Sequence, residues 1–445
     1  MRFPFSAATP IRFPGPPPPA ADVVVIGGGI AGVMTAWFLA RAGQKVVLCE
    51  KGRIAAEQSS RNWGWIRQQG RDPAELPLMI EANRIWSGLE AEAGADLGFR
   101  RTGVMYLADG PDDMAGFEAW LVHARAHGLD TRLLSAAEVQ AMLPNAAGWA
   151  GGLWTASDCR AEPWVAVPAL AAALAARGAT IVEDCAVRVL DLAAGRVAGV
   201  VTEAGRIAAD RVVLAGGAWS SLFLACHGLR LPQLSVRASV AATAPLPGFF
   251  DGAMADNRFA IRRRQDGGYT LAPGGFHEFF LGPDAFRHFA AFLPALRKDW
   301  RATHFRLAAP AGYPDAWATP RRWTGDGTSP FERLRILDPA PNLAEIARLQ
   351  DRFAAAFPQV GRPAVAAAWA GMIDTMPDVV PVIDAAPLPG LWVLTGLSGH
   401  GFGIGPGVGR VMADLVTGRA AGHDLARFRW GRFSDGSRIV IGPSL

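Results

Sequence analysis

The apolar positions of this chain follow two rhythms. Short unbroken apolar runs at 23–26, 45–49, 211–214 and 391–395 are each bounded by glycine or charge. Such runs predict strands buried on both faces, as in a parallel sheet. Between them lie longer segments with helical spacing. Residues 30–41 are apolar nearly all round, which predicts a buried helix ended by Gly43, a residue at ease in the left-handed region. Segments 74–94 (with Leu78, Ile80, Ile85, Trp86 and Leu89 as apolar positions), 112–128, 135–143, 162–177, 286–296, 346–357 and 408–416 also predict helices. The segment 135–143 opens on a capping box, Ser135-Ala136-Ala137-Glu138. The segment 162–177 starts beside Pro163 and stops at Gly178. Further strands are expected at 100–107, 180–183, 186–190 and 196–201.

From 231 to 362 the pattern changes. Strand-like segments at 235–242, 258–264 and 268–272 alternate with turns, and Asp266-Gly267-Gly268 is a hairpin signal between the last two. This predicts a second, sheet-based domain. At 365–384 the buried style returns. The division that follows is an N-terminal arm over 1–20, a nucleotide domain built from 21–95, 155–232 and 365–425, a substrate domain from 96–154 and 233–364, and a tail over 426–445.

A chain of 445 residues has room for two domains with sizeable cores. Its net charge of +4 is spread evenly, which excludes nucleic acid as an expected partner and leaves room for anionic substrates or peripheral contact with an anionic membrane. The four cysteines, Cys49, Cys159, Cys185 and Cys226, show no metal spacing; a reduced, cytoplasmic protein without a metal is expected. No apolar run is long enough for a signal peptide or a span. Residues 1–20 are proline-rich and predict an extended arm, disordered or lying on the surface.

The densest chemical signal is at 22–51. After the strand 23–26, Gly27-Gly28-Gly29-Ile30-Ala31-Gly32 fits G-x-G-x-x-G, a helix and a second strand follow, and Glu50 ends that strand. Gly27 permits the tight turn, Gly29 lets a pyrophosphate approach the backbone, and Gly32 lets helix and strand pack closely. The helix start, with Ile30 and Ala31, offers free N–H groups to phosphate, and Glu50 can accept from both hydroxyls of a ribose. A second strand-to-helix glycine turn occurs at 215–220, and a third glycine-rich turn at 396–407. A cofactor larger than a lone dinucleotide needs such distant contacts. The loop after Lys51 mixes serine, arginine and tryptophan without a regular period and suits a cofactor-lining segment.

Three of these stretches, VVVIGGGIAG with Glu50, VVLAGGAWS, and Pro377-Asp378 through LWVLTGLSGHGFGIGPGVGR, resemble FAD-dependent amino acid oxidases of the D-amino acid oxidase superfamily. That group includes glycine oxidase, sarcosine oxidase, D-amino acid dehydrogenase and bacterial L-amino acid deaminase. The resemblance runs from about Asp22 to about Gly418. It implies an α/β (α+β overall) fold with a Rossmann-type FAD-binding domain interleaved with an antiparallel-sheet substrate domain. It also implies that Lys51 lies near the adenine, that Ser59, Ser60, Arg61 and Asn62 pass the pyrophosphate and flavin, and that the Val187 backbone meets the adenine. Gly216 and Trp219 would belong to the second turn. Gly396, Ser398, Gly399, His400, Gly401, Phe402 and Gly403 would cradle the ring, with the following helix aiming its positive end at the ring. Sarcosine-oxidase-type members carry a flavin-linking cysteine where this chain has Gly371, so FAD is expected to be non-covalent.

The implied reaction is oxidative deamination of a free α-amino acid. Hydride passes from the α-carbon to flavin N5, no catalytic acid or base is assigned, and water hydrolyses the imine to a 2-oxo acid. The loop 59–72 resembles deaminases of large or aromatic substrates. Oxidation of secondary amines, such as N-methyl or cyclic imino acids, is the alternative, and oxygen or a quinone would take the electrons. An arginine is the natural carboxylate clamp. Arg264 is the first choice, with Arg262 on the same strand face and Arg67 in the loop as further candidates. Gln68 and Gln69 could bond the substrate's polar groups, and Trp63, Trp65 and Trp369 could wall an apolar pocket.

Overall fold

The computed structural model describes residues 3–442; the ends of the predicted arm and tail, residues 1–2 and 443–445, lie outside them. The apolar runs form one six-stranded sheet in the order Val382–Ala385, Leu391–Thr395, Val212–Leu214, Val23–Ile26, Val46–Cys49, Thr180–Val182. Its pairs are parallel except where Val382–Ala385 runs against Leu391–Thr395. Both faces are covered, which is why these strands read as continuous apolar runs rather than alternations. Helices Ile30–Arg41, Gly401–Val416 and Pro163–Ala176 share one core with one face. On the other face lie the helix Ser220–Cys226 and the three-stranded meander Val187–Ala193, Arg196–Thr202, Gly205–Ala208.

Glycine sets how closely the helices approach. A Cβ on Gly405 would sit 2.5 Å from Ile30 Cγ1, and one on Gly409 would sit 2.7 Å from the Met34 carbonyl carbon. On the other side, a Cβ on Gly407 would meet the Leu78 carbonyl at 2.6 Å. The last helix therefore begins at Gly401, not at 408. More than half of the segment 396–407, which reads as a glycine turn, is helical. Its glycines lower helix propensity, but they are what lets three helices pack at backbone distance.

A second, ten-stranded sheet is mixed rather than purely antiparallel. Ala253–Ala255 runs parallel to Val104–Ala108, and His277–Phe280 runs parallel to Thr303–Arg306. Its long central pair joins Leu234–Thr243 to Val365–Thr375 over ten positions, with one register shift. The buried composition of residues 365–375 predicts a place in the nucleotide domain; the pairing puts them in the large sheet. A strand in the centre of a covered sheet looks the same in sequence whichever sheet it joins. The predicted helix 286–296 is divided in two, Pro283–Arg287 and Phe289–Lys298.

The N-terminal arm is not a loose tail. Phe5 is buried, Phe3 stacks on Trp164 at 4.7 Å, and Ala20 bridges to Ala208 at the meander. The Phe5 carbonyl accepts from Arg61 Nη2 at 3.0 Å. Prolines keep the arm extended, and two aromatic rings fasten it.

Candidate active site

One cleft, partly open to solvent, runs between the two sheets. Ile26, Cys49, Leu214 and Thr395 line it, so it sits at the carboxyl ends of four strands of the six-stranded sheet. Ala238, Val240, Gly371 and Ile373 from the large sheet close the other side.

Two helix N-termini open on this cleft. The helix Ile30–Arg41 has Gly29 as its N-cap, with no side-chain cap and no acid in its first turn. The helix Gly401–Val416 has His400 there, again with no side-chain cap and no acid in the first turn. Apart from Ile30 N, which Ser59 Oγ takes, the N–H groups of the first turns have no side-chain cap, and with the positive dipole end they favour an anion at each place. Gly27 makes the turn with φ +109°, and its missing Cβ leaves room for the Ala215 carbonyl. A side chain on Gly32 would strike the Gly27 carbonyl. Gly28 and Gly29 form the floor: a Cβ on Gly28 would meet Ile54, and one on Gly29 would meet Ser59 Oγ at 3.0 Å.

Glu50 lines the cleft at the end of Val46–Cys49. Its carboxylate accepts from Gly28 N and Gly52 N, both at 2.7 Å. Burial pushes its carboxyl up to about 7 against the pull of Lys51 and of those two N–H groups. A diol donating to it would favour the ionised form. Lys51 and Trp219 are braced together by Glu57, which takes Lys51 Nζ at 2.7 Å and Trp219 Nε1 at 3.1 Å, while Lys51 Nζ lies 4.4 Å over the Trp219 ring. Arg61 is a cross-brace: its guanidinium donates to the Ala56, Ala370 and Phe5 carbonyls and to Asp338. Ser59 Oγ accepts from Ile30 N at 2.8 Å, and Asn62 Nδ2 donates to the Ser59 carbonyl at 2.9 Å. Val187 and Gly216 also line the cleft. Buried Asp374 ties down the ring-side turn by accepting from Gly396 N at 2.7 Å, and Ser398, Gly399, Gly401 and Phe402 line the cleft beyond it.

Several expected site residues lie behind the wall. Ser60 is buried, with its hydroxyl on the Glu57 carbonyl. A Cβ on Gly396 would meet Met376, and the Gly403 carbonyl accepts from Trp86 Nε1 at 2.9 Å. Gln68 and Gln69 are pinned through their backbone N–H groups by Asp158; their side chains bond Ser157, Asp158, Thr155 and the Leu153 carbonyl. Trp369 faces away, donating to the Arg61 carbonyl at 3.0 Å and packing on Phe3.

The two strand arginines are corrections. Arg262 is wholly buried and forked onto Glu162, with Nη1 at 2.8 Å and Nη2 at 3.0 Å. Arg264 donates to Asp266 and to the Thr243 and Tyr269 carbonyls. Both guanidiniums serve the strand, and neither residue lines the cleft. Alternation along the strand could not show that Glu162 waits opposite Arg262, 100 residues upstream.

The cleft is lined instead by Arg67, an expected candidate, and by Arg71, which the sequence does not single out. Arg71 is buried; Nε donates to the Arg67 carbonyl at 3.2 Å, while Nη1 has no hydrogen-bond partner. Burial and the neighbouring Arg67 charge pull it down to about 9, so it stays cationic at neutral pH. Arg67 lines the cleft beside it and lies over the Tyr106 ring. Trp63 and Trp65 line the same end with rings 5.4 Å apart, and Trp65 Nε1 is also unpartnered. His400 completes this end; its Nδ1 stands 3.6 Å from buried Glu75. Burial, with Arg71 adding to it, pulls His400 down to about 4, so the ring is neutral. An unsatisfied buried cation and aromatic walls together suit a carboxylate carrying an apolar group.

The residues of this cleft fit FAD: two uncapped helix starts, a glycine floor, a carboxylate placed for a diol, and a chamber beyond. The family described as "FAD dependent oxidoreductase" (DAO) matches residues 22–415. Human mitochondrial sarcosine dehydrogenase is 30% identical over 231 residues, covering 50% of this chain and 25% of that protein. The chain thus matches about a quarter of the length of that relative. Sarcosine oxidase subunit beta of Rhizobium meliloti (strain 1021) is 26% identical, over 93% of this chain and 88% of that one. Among solved structures, L-amino acid deaminase from Proteus myxofaciens in complex with anthranilate superposes with a TM-score of 0.90 at 30% identity, covering 95% of this chain and 96% of that chain. Among the described residues, no helix is long and apolar enough to cross a membrane.

Proposed function

The chain belongs to the FAD dependent oxidoreductase (DAO) family, and from that premise we propose that it oxidises a free α-amino acid with a large or aromatic side chain, yielding an imine that water hydrolyses to a 2-oxo acid. The observation that carries this reading is Arg71, a buried guanidinium with an unpartnered Nη1 on a cleft walled by Trp63 and Trp65. Likeness to L-amino acid deaminase supports it.

Bound FAD supplies the acceptor for the hydride that leaves the substrate's α-carbon. Gly27, Gly29 and the first turn of Ile30–Arg41 would hold its phosphates, Glu50 its ribose, and the turn from Ser398 to Phe402 its ring. The chain's own work is orientation. Arg71 takes the substrate carboxylate, the tryptophans take its side chain, and the neutral His400 adds no positive charge that would repel the amine. Oxygen or a quinone receives the electrons.

Anaerobic mixing with an amino acid panel tests this reading. Bleaching of the flavin by aromatic α-amino acids supports it. Bleaching by N-methyl or cyclic imino acids alone replaces it with secondary-amine oxidation. Peroxide detection against dye reduction separates the acceptors.

Two further results are expected. FAD affinity should fall as pH drops below about 7, approaching tenfold per pH unit. The sign follows from Glu50: burial raises its carboxyl to about 7 from an ordinary 4.5. Below 7 the empty protein holds a proton that ribose binding must expel. By the same linkage, the FAD-free fold loses stability as pH rises from about 4.5 to 7 and is level above that. Quenching of FAD fluorescence at pH 8, 7 and 6 measures the affinity; a flat profile removes Glu50 from the ribose. Secondly, acid precipitation should leave all the yellow colour in the supernatant, because Gly371 on the cleft wall offers no thiol. Colour in the pellet would mean a covalent link.

A further inference from the structure

Two helices that pack together at Gly407 each begin with an ionisable residue that does not cap its own helix. Glu75 is the N-cap of Leu76–Ala93 and His400 the N-cap of Gly401–Val416, and neither side chain bonds its first turn. The two side chains face each other instead. Glu75 is 1% exposed, and its Oε2 lies 3.6 Å from His400 Nδ1. Glu75 Oε1 and His400 Nδ1 are both buried without a hydrogen-bond partner. The helices they start do not use these groups, so the fold alone does not explain the pair.

Their charge states fix where the ring proton sits. Burial opposes ionisation of Glu75, yet His400 beside it, with Arg71 and Arg67, holds its carboxyl below the ordinary range. Glu75 is therefore an anion at neutral pH, while the His400 ring is neutral. The positive end of Gly401–Val416 also disfavours an imidazolium. An ionised carboxylate can only accept, so the neutral ring carries its proton on Nδ1, towards Glu75. Nε2 is left as a bare acceptor. His400 lines the cleft and its side chain keeps 24% exposure although Nδ1 is buried, so the open edge of the ring is the one that carries Nε2.

The polar groups around it are donors. Arg71 and Arg67 lie within electrostatic reach of both Glu75 and His400. Arg67 lies over Tyr106, and Trp65 packs on Tyr106 and Trp63. Guanidinium and indole N–H groups cannot accept. An α-amine brings N–H donors of its own, so next to a carboxylate clamp it needs an acceptor.

We propose that His400 Nε2 accepts a hydrogen bond from the substrate's α-amine, and that Glu75 is the positioning residue that keeps Nε2 bare. This rests on the reading of Arg71 as the carboxylate clamp. With the carboxylate on Arg71, the amine on His400 and the side chain between the tryptophans, three groups of the α-carbon are fixed. The C–H then has one direction left, and one enantiomer fits.

The test compares two ligands of the FAD-saturated full chain that differ by the amine. One is phenylalanine, followed by KM and by the concentration dependence of anaerobic bleaching. The other is 3-phenylpropionate, followed by the shift of the flavin absorbance on binding. His400→Phe should weaken phenylalanine by about 10- to 100-fold, the worth of a hydrogen bond to a charged group, and leave 3-phenylpropionate within about twofold. Glu75→Leu should weaken phenylalanine by about tenfold, because the ring proton is no longer held on Nδ1. It should tighten 3-phenylpropionate, because a buried anion beside Arg71 is gone. The two substitutions together should cost no more than His400→Phe alone, since Glu75 acts through the ring. Loss of both ligands alike in the single variants overturns the proposal and makes the pair structural. Unchanged phenylalanine binding, or losses that add in the double variant, also overturns it. If Glu75→Leu does not fold, His400→Phe decides alone. Failure of the clamp reading looks different: the parent chain is then neither bleached by phenylalanine nor bound by 3-phenylpropionate, and both claims fall together.

Discussion

Replacing Arg71 by leucine should lower kcat/KM for the amino acid by about 100- to 1000-fold while leaving FAD in place. Removing one member of a buried charge pair costs about 2–5 kcal/mol, and each 1.36 kcal/mol is tenfold in rate. The loss should appear first in KM and in the dissociation constant of a carboxylate inhibitor followed by flavin absorbance, because the residue binds the ground state as well as the transition state. The titratable neighbours of Arg71 include Arg67, Glu75 and His400, whereas those of Glu50 include Lys51 and Glu57, so the flavin content should not change. Lysine at 71 should recover part of the binding but not the fork. Arg264→Leu is the comparison: its guanidinium bonds Asp266 and two backbone carbonyls outside the cleft. It should cost stability and leave KM within about twofold. If Arg264→Leu raises KM by the large factor and Arg71→Leu does not, the carboxylate is held on the strand.

The contrast between these arginines shows where sequence reading stops. The unit from Val23 to Glu50 is local: strand, turn, helix and acid occur within thirty residues, and the close contacts of Gly27 and Gly32 lie inside that unit or at the end of its neighbouring strand. Spacing alone exposes it. Arg262 has the same look as a ligand-binding arginine until Glu162 is placed against it, and nothing near Arg262 in the chain announces that carboxylate. The loop 59–72 was recognisable as special because it has neither helical nor strand period. Which of its side chains turn inward depended on Asp158, which pulls Gln68 and Gln69 out of the cleft and leaves Arg67 and Arg71 facing it. The N-terminal arm misled through composition. Prolines spoke for an extended chain, which it is, but Phe3 and Phe5 are anchors whose receiving groove is built by Trp164, Trp369 and Arg61.

Glu162→Ala should destabilise the fold by about 3–5 kcal/mol, the range for leaving one member of a buried ion pair uncompensated. Arg262 would be stranded with no exposed surface, and Arg160, whose Nη1 is 3.7 Å from the same carboxylate, would lose its neighbour too. Glu162 also accepts from Gln265 N at 2.9 Å, so the hairpin end loosens with it. For a chain of this length unfolding as one unit, such a loss lowers the midpoint of thermal unfolding by roughly 3–5 °C. The effect should reach the cleft through one bond: Arg262 Nε donates to the Trp63 carbonyl, which fixes the backbone carrying Trp63 and Gly64. Substrate KM should therefore rise in Glu162→Ala even though residue 162 is not part of the cleft wall, and an aromatic substrate should suffer more than a small one. Restoring neutrality separates the two effects. The double substitution Glu162→Gln with Arg262→Met removes both charges and keeps similar bulk. It should regain most of the thermal stability, because a buried pair replaced by apolar volume costs little, and should still show the raised KM, because the bond to the Trp63 carbonyl is gone. A double variant as unstable as Glu162→Ala would mean that the pair is needed for the fold itself, and one with an unaltered KM would mean that the tryptophan loop is held by something other than Arg262.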